Sequence, residues 1–344
     1  MRIFPIALKA VILHVQVAGG SVSLDPNRSI EPLVIAAEVK ASLGLDSTNR
    51  SRPDKTSVKE SIRFADNGDN RIAKIDFEFE CARDGAEALT GAKRAEFKDD
   101  VCQEIIRLQN WAADLDWIEL PVPELKIIIS DRFSISKSLV PAWSGHSGYM
   151  EFPMRRVVSR KAAVMHELVH VFFPNGNRFL AEGLAVHLQD SIGGNPAFPN
   201  FGKPLHKNVR ERLLEKPPTS SEDPLGLRQI HLAELDGIAT PKPLTLRVGH
   251  EIYGEDQRGQ VFVYPIAGSF VQYLIDTRGI ERFRALYAQT PLVPFARNVG
   301  TLDRWLGIYH GTLAGLENEW KSMIISNFLT ANGENFAWTS VNRR

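Results

Sequence analysis

Two histidines and a glutamate in one helix-compatible run are the residues of this chain best suited to chemistry. The run spans residues 163–173 and contains His166-Glu167-x-x-His170. Residues four apart lie on the same face of a helix, so both imidazoles can reach one metal ion. Zinc accepts imidazole nitrogens and, in catalytic sites, keeps one position for water. Glu167 could take a proton from that water as it attacks a carbonyl group.

The surroundings of this motif favour a metal site. Every residue from Ala162 to Phe173 other than the three motif residues is uncharged, as expected for a helix buried beneath an active site. The alternative is a pair of helix histidines that only pack or form hydrogen bonds, with Glu167 as a solvated charge.

A third candidate ligand follows a predicted break in the helix. Residues 174–177, Pro-Asn-Gly-Asn, turn the chain, and Glu182 then stands among small and apolar residues. A buried carboxylate needs a partner such as a metal. The alternative is that Glu182 caps the next helix or forms a salt bridge there. His187 competes as a ligand, but its position five residues later points it away from the Glu182 face.

The motif, the short break and Glu182-Gly-Leu-Ala together resemble the gluzincin metallopeptidases, specifically the compact bacterial group of peptidase MA-like proteins. The resemblance implies one Zn²⁺ per chain, held by His166, His170 and Glu182, with Glu167 as general base. It also extends to residues 264–283, which are similar to the gluzincin helix that carries a transition-state tyrosine. Tyr264 holds that place and would donate to the oxyanion; the alternative is an ordinary aromatic residue at a helix start.

Two positions depart from the gluzincin pattern. Eleven residues separate His170 from Glu182, fewer than in the larger gluzincins, so the resemblance is to the compact group. Many gluzincins have an aspartate four positions after the glutamate, and here that position is Val186. A metal-bound imidazole nearly always donates its other nitrogen to a partner. Asp190 and backbone carbonyls are the candidates for that role.

The function that we expect is hydrolysis of peptide bonds by a zinc metallopeptidase acting on a peptide or protein substrate. Two alternatives remain at this point. One is a zinc-bearing protein that binds peptides without cleaving them, because His187 or a lid residue blocks the open coordination position. The other is a zinc hydrolase acting on a non-peptide carbonyl or an epoxide, which the same groups could support.

The charge balance argues against a polyanion partner. Lys+Arg and Asp+Glu are both 41, so we expect neither nucleic-acid binding nor attraction to an anionic membrane. Beyond the N-terminus, no segment has the apolar length of a membrane helix. One local basic cluster, residues 155–161 with Arg155, Arg156, Arg160 and Lys161, precedes the histidine motif. It is either a solvated turn or a subsite for acidic substrate groups.

The N-terminus suggests export. Residues 1–20 combine one early cation, an apolar run and small residues at Ala18-x-Gly20, which fit a secretory signal peptide. The alternative is a first strand of the fold, with the protein retained in the cytoplasm. The only cysteines are Cys81 and Cys102, which could form a disulfide in an exported protein and would be free thiols in a cytosolic one.

The expected architecture is α+β: a zincin-like metallopeptidase with a small mixed sheet, a His-Glu-x-x-His helix and a helical C-terminal subdomain. Residues 21–70 are poorly patterned and predict an arm or loop, 71–200 a mixed unit that carries the metal ligands, and 201–344 a mostly helical subdomain. Within the mixed unit, residues 71–80 alternate like a half-buried strand, and residues 95–113 have helical periodicity. We expect the active-site cleft between the two larger parts.

The segment before the histidine motif contributes further candidates. Residues 125–130 and 148–152 predict two strands, the second at the sheet edge where a peptide substrate can add its own strand. Gly148-Tyr-Met-Glu151 resembles the exopeptidase signature in which a glutamate holds the free amine of a substrate, and the resemblance makes Glu151 a candidate for that role. The loop containing Trp143 and His146 could form a lid. His231 and His250 could support a metal ligand or the oxyanion, but the sequence favours their interpretation as ordinary surface residues.

Overall fold

The structure, a computed structural model, describes residues 15–17, 20–22, 56–63, 72, 74–81, 89–117, 122, 124–139, 148–214, 227, 230–236, 245–248, 251–254, 260–292 and 303–331. Contacts divide the chain into two units, residues 1–48 and 49–344. In the first unit, strands β1 (Val15–Val17) and β2 (Gly20–Val22) pair in antiparallel fashion. They fall at and just beyond the end of the expected signal peptide, whose other residues lie outside the described part.

The second unit contains a five-stranded mixed sheet. Its strands are β3 (Thr56–Arg63), β4 (Lys74–Cys81), β5 (Glu124–Ser130), β6 (Lys137–Leu139) and β7 (Gly148–Pro153). The order across the sheet is β3-β4-β5-β7-β6, with β4, β5 and β7 parallel and the two outer strands antiparallel. The prediction that the strand at 148–152 forms the edge is wrong, because the short strand β6 pairs outside it.

Alternating side chains give this sheet one buried face. Phe77 and Phe79 of β4 are buried, whereas the residues that alternate with them, Asp76, Glu78 and Glu80, carry charge. Helix α1 (Gly91–Asp114) packs on the buried face, where the ring of Phe97 lies 6.4 Å from that of Phe77 and 5.7 Å from that of Phe152. The predicted half-buried strand and the amphipathic helix after it are therefore confirmed.

Helices make up most of the remaining described chain. They are α2 (Met154–Val158), α3 (Val164–Phe172), α4 (Arg178–Ser191), α5 (Leu205–Leu214), α6 (Gln260–Arg278), α7 (Ile280–Ala288), α8 (Asp303–Tyr309) and α9 (Leu313–Ala331). A 3₁₀ turn (Leu232–Glu234) and a two-stranded hairpin of β8 (Thr245–Val248) and β9 (Glu251–Gly254) precede α6. The protein is thus α+β, with a mixed sheet and a largely helical C-terminal part.

Helices α4 and α6 pack directly on each other, and two glycines allow the close approach. A Cβ atom on Gly183 of α4 would lie 2.5 Å from Cγ2 of Val271 and 2.8 Å from the carbonyl oxygen of Ala267. A Cβ atom on Gly268 of α6 would lie 2.4 Å from Cγ1 of Val186. Such separations are too short for real carbon contacts, so only glycine fits at these two positions without moving the helices.

Three further observations bear on the sequence predictions. Strand β3 lies within residues 21–70, where the sequence predicted an arm or loop. Cys81 and Cys102 are free thiols, so the disulfide considered for an exported chain is not formed. In the portion of the chain that the structure describes, no helix has the length and apolar character needed to span a membrane.

Candidate metal centre

Helix α3 brings the two motif histidines together. Its apolar residues are buried, and the helix lies so close to β7 that a Cβ atom on Gly148 would lie 2.9 Å from Cγ1 of Val171. His166 is buried and His170 is partly exposed. Their Nε2 atoms are 3.1 Å apart. Two imidazole nitrogens at this distance need a shared proton or a metal ion between them.

A cross-linked turn then sets the start of α4. Asn175 accepts hydrogen bonds through Oδ1 from the backbone N–H of Asn177, at 2.7 Å, and from the hydroxyl of Thr290, at 2.9 Å. The Nδ2 group of Asn175 donates to the carbonyl of Tyr287, and the Tyr287 hydroxyl donates to the carbonyl of Phe173. The turn between the two helices is thereby fixed to α7 and the residues that follow it.

The side chain of Asn177 caps α4 by accepting from the backbone N–H of Leu180 at 3.2 Å, a common way to satisfy an N-terminal donor. Glu182 consequently projects from the second turn of α4 toward α3. Its Oε2 atom lies 3.1 Å from Nε2 of His166 and 3.4 Å from Nε2 of His170. The predicted ligands His166, His170 and Glu182 therefore come together in one group.

The spacing of the three ligand atoms fits a metal ion. With zinc–ligand distances of about 2.0–2.1 Å and tetrahedral angles, neighbouring ligand atoms lie about 3.3 Å apart. The three observed separations are 3.1, 3.1 and 3.4 Å. Oε2 of Glu182 is buried and has no hydrogen bond of acceptable geometry, although buried polar atoms normally have a partner. A cation at the common point would supply one.

Electrostatics keep Glu182 ionised. Burial alone would raise its pKa, but His170 and Arg178 act more strongly together and hold the pKa of Glu182 well below its usual range. The guanidinium of Arg178 lies 3.3 Å from Oε1, the carboxylate oxygen that does not face the histidines. The carboxylate therefore offers one oxygen to the histidine side and has the other held by a cation.

Glu167 lies beside this group without belonging to it. The residue is buried, and burial raises its pKa to about 7, against the opposing effects of His166 and of a hydrogen bond from Ser138. Ser138 is the central residue of β6 and pairs with Met150 of β7. The outer strand of the sheet thus passes next to the carboxylate that the sequence singled out as a base.

Tyr264, in the second turn of α6, is also at the site. Its ring is buried and stacks on the imidazole of His166, with centroids 5.9 Å apart and an interplanar angle of 24°. On another side it meets Phe198, whose ring centroid is 6.4 Å away. The close contact of α6 with α4 at Gly183 therefore holds an aromatic hydroxyl-bearing residue against a candidate ligand.

Other candidates from the sequence lie elsewhere. His187 is not in the ligand group; burial lowers its pKa to about 4, and the groups that act on it are Asp276 and His206. Burial raises the pKa of Asp190, and the groups that act against this are the backbone of Leu205 and the side chain of Asn200. Asp190 does not orient an imidazole, and the buried Nδ1 of His166 has no hydrogen-bond partner in the described part of the chain.

Glu151 points away from the metal centre. It alternates with Met150 and Phe152 along β7 and so occupies the sheet face opposite to them, where it accepts from the hydroxyl of Tyr149 at 2.6 Å and pairs with Lys137 at 2.9 Å. The amine-binding role considered for Glu151 is therefore wrong for this arrangement. The loop with Trp143 and His146 lies outside the described residues, as does His250, and His231 is exposed.

Sequence reasoning missed three residues at the site: Arg178, Ser138 and Phe198. Arg178 had a local signal, because it precedes Glu182 by four positions on a predicted helix, where side chains meet. Ser138 and Phe198 reach the site only through strand pairing and loop packing, for which the local sequence gives no sign. Comparisons of the chain with protein-family models and with curated proteins gave no match.

Proposed function

We propose that this protein is a zinc-dependent metallopeptidase of the compact gluzincin type, with a zincin-like fold. His166, His170 and Glu182 would hold one zinc ion. The observation that supports this proposal best is the spacing of their three ligand atoms, 3.1–3.4 Å, around a buried carboxylate oxygen without a hydrogen bond. When bound, zinc would polarise a carbonyl group and make a water molecule acidic enough to lose a proton near neutral pH.

The protein groups around that ion have distinct roles in this proposal. Glu167 takes the proton of the attacking water and passes it to the leaving amine. Tyr264 donates a hydrogen bond to the carbonyl oxygen as negative charge develops there, since its ring already packs against His166. Arg178 holds the far oxygen of Glu182 and so fixes the orientation of that ligand.

A peptide is the favoured substrate because of the position of β6. This three-residue strand is the outermost of the described sheet on its side, and its Ser138 bonds to Glu167. An extended peptide that added to β6 as a further strand would carry its own carbonyl groups past the base. A non-peptide ester or epoxide would gain nothing from such an edge.

The test uses the purified wild type and Glu167→Gln, each with its zinc content determined, on an internally quenched peptide library. We expect about one zinc per chain in both proteins, cleavage by the wild type, loss of cleavage with a chelator, and no cleavage by the variant. The isosteric Gln keeps the shape of the side chain, so lost turnover at unchanged zinc content identifies the base.

Two results would contradict the proposal. Wild-type protein that binds zinc but cleaves no peptide would favour the non-catalytic binding protein or the non-peptide hydrolase. Protein that binds no zinc would contradict the metallopeptidase proposal and both alternatives, since all three functions require the metal. The structure gives no support to a block by His187, because that residue is not in the ligand group.

A further inference from the structure

The basic cluster before α3 separates into three different environments. Arg160 forms ion pairs with Glu96 and Asp100, both at 3.0 Å, and so ties the turn after α2 to α1. Arg155 is exposed and donates to the backbone carbonyl of Ser134 at 2.8 Å. Arg156 differs from both, because its side chain turns toward the aromatic residues beside the metal centre. The cluster is therefore not one solvated patch.

Arg156 lies on an aromatic surface and has few partners. Its guanidinium carbon is 5.4 Å from the ring centroid of Phe198, within the range of a cation–π contact. The one hydrogen bond that its guanidinium donates within the described part of the chain is a long one, 3.5 Å, to the hydroxyl of Ser136. No carboxylate of the described residues forms an ion pair with it, whereas a guanidinium carries five N–H donors. Arg156 is only partly exposed, and this burial lowers the pKa of its guanidinium.

A continuous row of rings joins Arg156 to the candidate ligands. Phe198 contacts Tyr264, and Tyr264 stacks on His166. The charge of Glu167 also acts on Arg156 and raises its pKa, in opposition to burial. On the open side, Phe201 is 48% exposed and its ring lies 6.0 Å from that of Phe198. The cation is thus separated from His166 by two aromatic rings, within the electrostatic influence of Glu167, and lies beside an apolar surface that solvent, or a substrate, can reach.

We propose that Arg156 binds a carboxylate group of the substrate, which makes the enzyme selective for peptides that carry an acidic group next to the scissile bond. This inference rests on the proposed peptidase function. A planar guanidinium matches a carboxylate with two parallel hydrogen bonds. A partly desolvated cation that forms no ion pair within the described residues gains most when a ligand supplies a carboxylate in direct contact. The carboxylate has two sources, an Asp or Glu side chain or the free C-terminus of a peptide.

The experiment compares wild type, Arg156→Gln and Arg156→Lys, with Arg155→Gln as the matched control for loss of a neighbouring exposed arginine. Four peptides are made as two pairs from one library sequence, chosen by cleavage or, if nothing is cleaved, by binding to Glu167→Gln. One pair carries Glu or Gln at the same position, and the other is shortened to end in a free carboxylate or in its amide. For each protein, kcat/KM is measured on each pair.

We expect wild type and Arg155→Gln to prefer one acidic peptide over its neutral partner by about tenfold or more, as a charged hydrogen bond provides. Arg156→Gln should cleave both members of the pair at similar rates, so that the preference for the acidic peptide is lost. Arg156→Lys should keep part of the preference. A preference in the Glu/Gln pair identifies a side-chain carboxylate, and one in the acid/amide pair identifies the C-terminus.

Binding separates this inference from the peptidase proposal. The same peptides, labelled with a fluorophore, are titrated into Glu167→Gln and into the double variant with Arg156→Gln. Tighter binding of the acidic peptide that disappears in the double variant supports the carboxylate site even if wild type cleaves nothing. Equal binding of acidic and neutral peptides, no peptide binding, or an equal loss of kcat/KM on both peptides in Arg156→Gln would overturn it.

Discussion

Gly183 stands where α4, which carries Glu182, meets α6, which carries Tyr264. An alanine there would put its Cβ atom 2.5 Å from Cγ2 of Val271 and 2.8 Å from the carbonyl oxygen of Ala267. The Val271 methyl group can rotate away, but the Ala267 oxygen belongs to the backbone of α6. Ordinary contacts begin at about 3.4 Å, so the two helices must separate by about 0.6 Å.

The energetic cost of Gly183→Ala follows from two opposing effects. Overpacking of a close helix contact costs about 1–3 kcal/mol. Replacing glycine by alanine inside a helix returns about 0.5–1 kcal/mol. We therefore expect a loss of up to about 2.5 kcal/mol in the free energy of unfolding relative to wild type, and of about 1–3 kcal/mol relative to a glycine-to-alanine change that causes no clash. Displacement of α6 would also move Tyr264 from its place beside His166, and a shift of this size should lower kcat about tenfold.

The matched control is Gly307→Ala in α8. A Cβ atom on Gly307 would have no heavy atom within 4 Å. This variant therefore gains the higher helix propensity of alanine without the steric clash expected at Gly183. We expect it to be stabilised by up to about 1 kcal/mol with unchanged kcat. The assay is urea unfolding of the zinc-loaded proteins followed by tryptophan fluorescence, together with kcat on a cleaved peptide. If Gly183→Ala were as stable as Gly307→Ala and equally active, the reasoning about the α4–α6 contact would be refuted.

Three further predictions concern the metal centre. Glu182→Gln should reduce bound zinc from about one per chain to a trace. A chelator should lower the unfolding temperature of wild type, because zinc binds only the folded state, but should leave that of Glu182→Gln unchanged. An unchanged zinc content measured by mass spectrometry would contradict the ligand assignment. Arg178→Met should weaken zinc affinity about 10–100-fold in a competition titration with a fluorescent chelator, whereas equal affinity would show that the contact with Oε1 does not matter. Tyr264→Phe should lower kcat about 100-fold or more while zinc content stays the same, and a kcat within twofold of wild type would exclude the oxyanion role.

The local sequence pattern was sufficient to predict site residues wherever a single helix sets their relative positions. The four-residue spacing of His166 and His170 places them on one face of any helix, so their meeting followed from the sequence. Glu182 was identifiable because a charge stood in an apolar helix. Arg178 could have been predicted in the same way, since it lies one helical turn before Glu182.

Pairing between distant segments was not readable in the same way. Strand β3 is largely exposed and polar, so it lacks the alternation of apolar residues that marks a half-buried strand. Strand β6 has only three residues, too few for any period, and its position is set by its pairing with β7. Ser138 and Phe198 reach the site through such contacts. Their roles depend on the folded chain, not on their sequence neighbours.

In the proposed zinc enzyme, the turn between α3 and α4 would link metal binding to the order in which the chain is made. Tyr287 follows Phe173 by 114 residues, and the hydrogen bond between them is part of what fixes the turn. At common rates of synthesis, about 5–20 residues per second, the two histidines leave the ribosome roughly 6–24 s before Tyr287. During this interval the nascent chain offers a metal only an unclamped set of ligands. A tight three-ligand site would form only after α7 has docked, so loading would be a late event that reports completion of the chain.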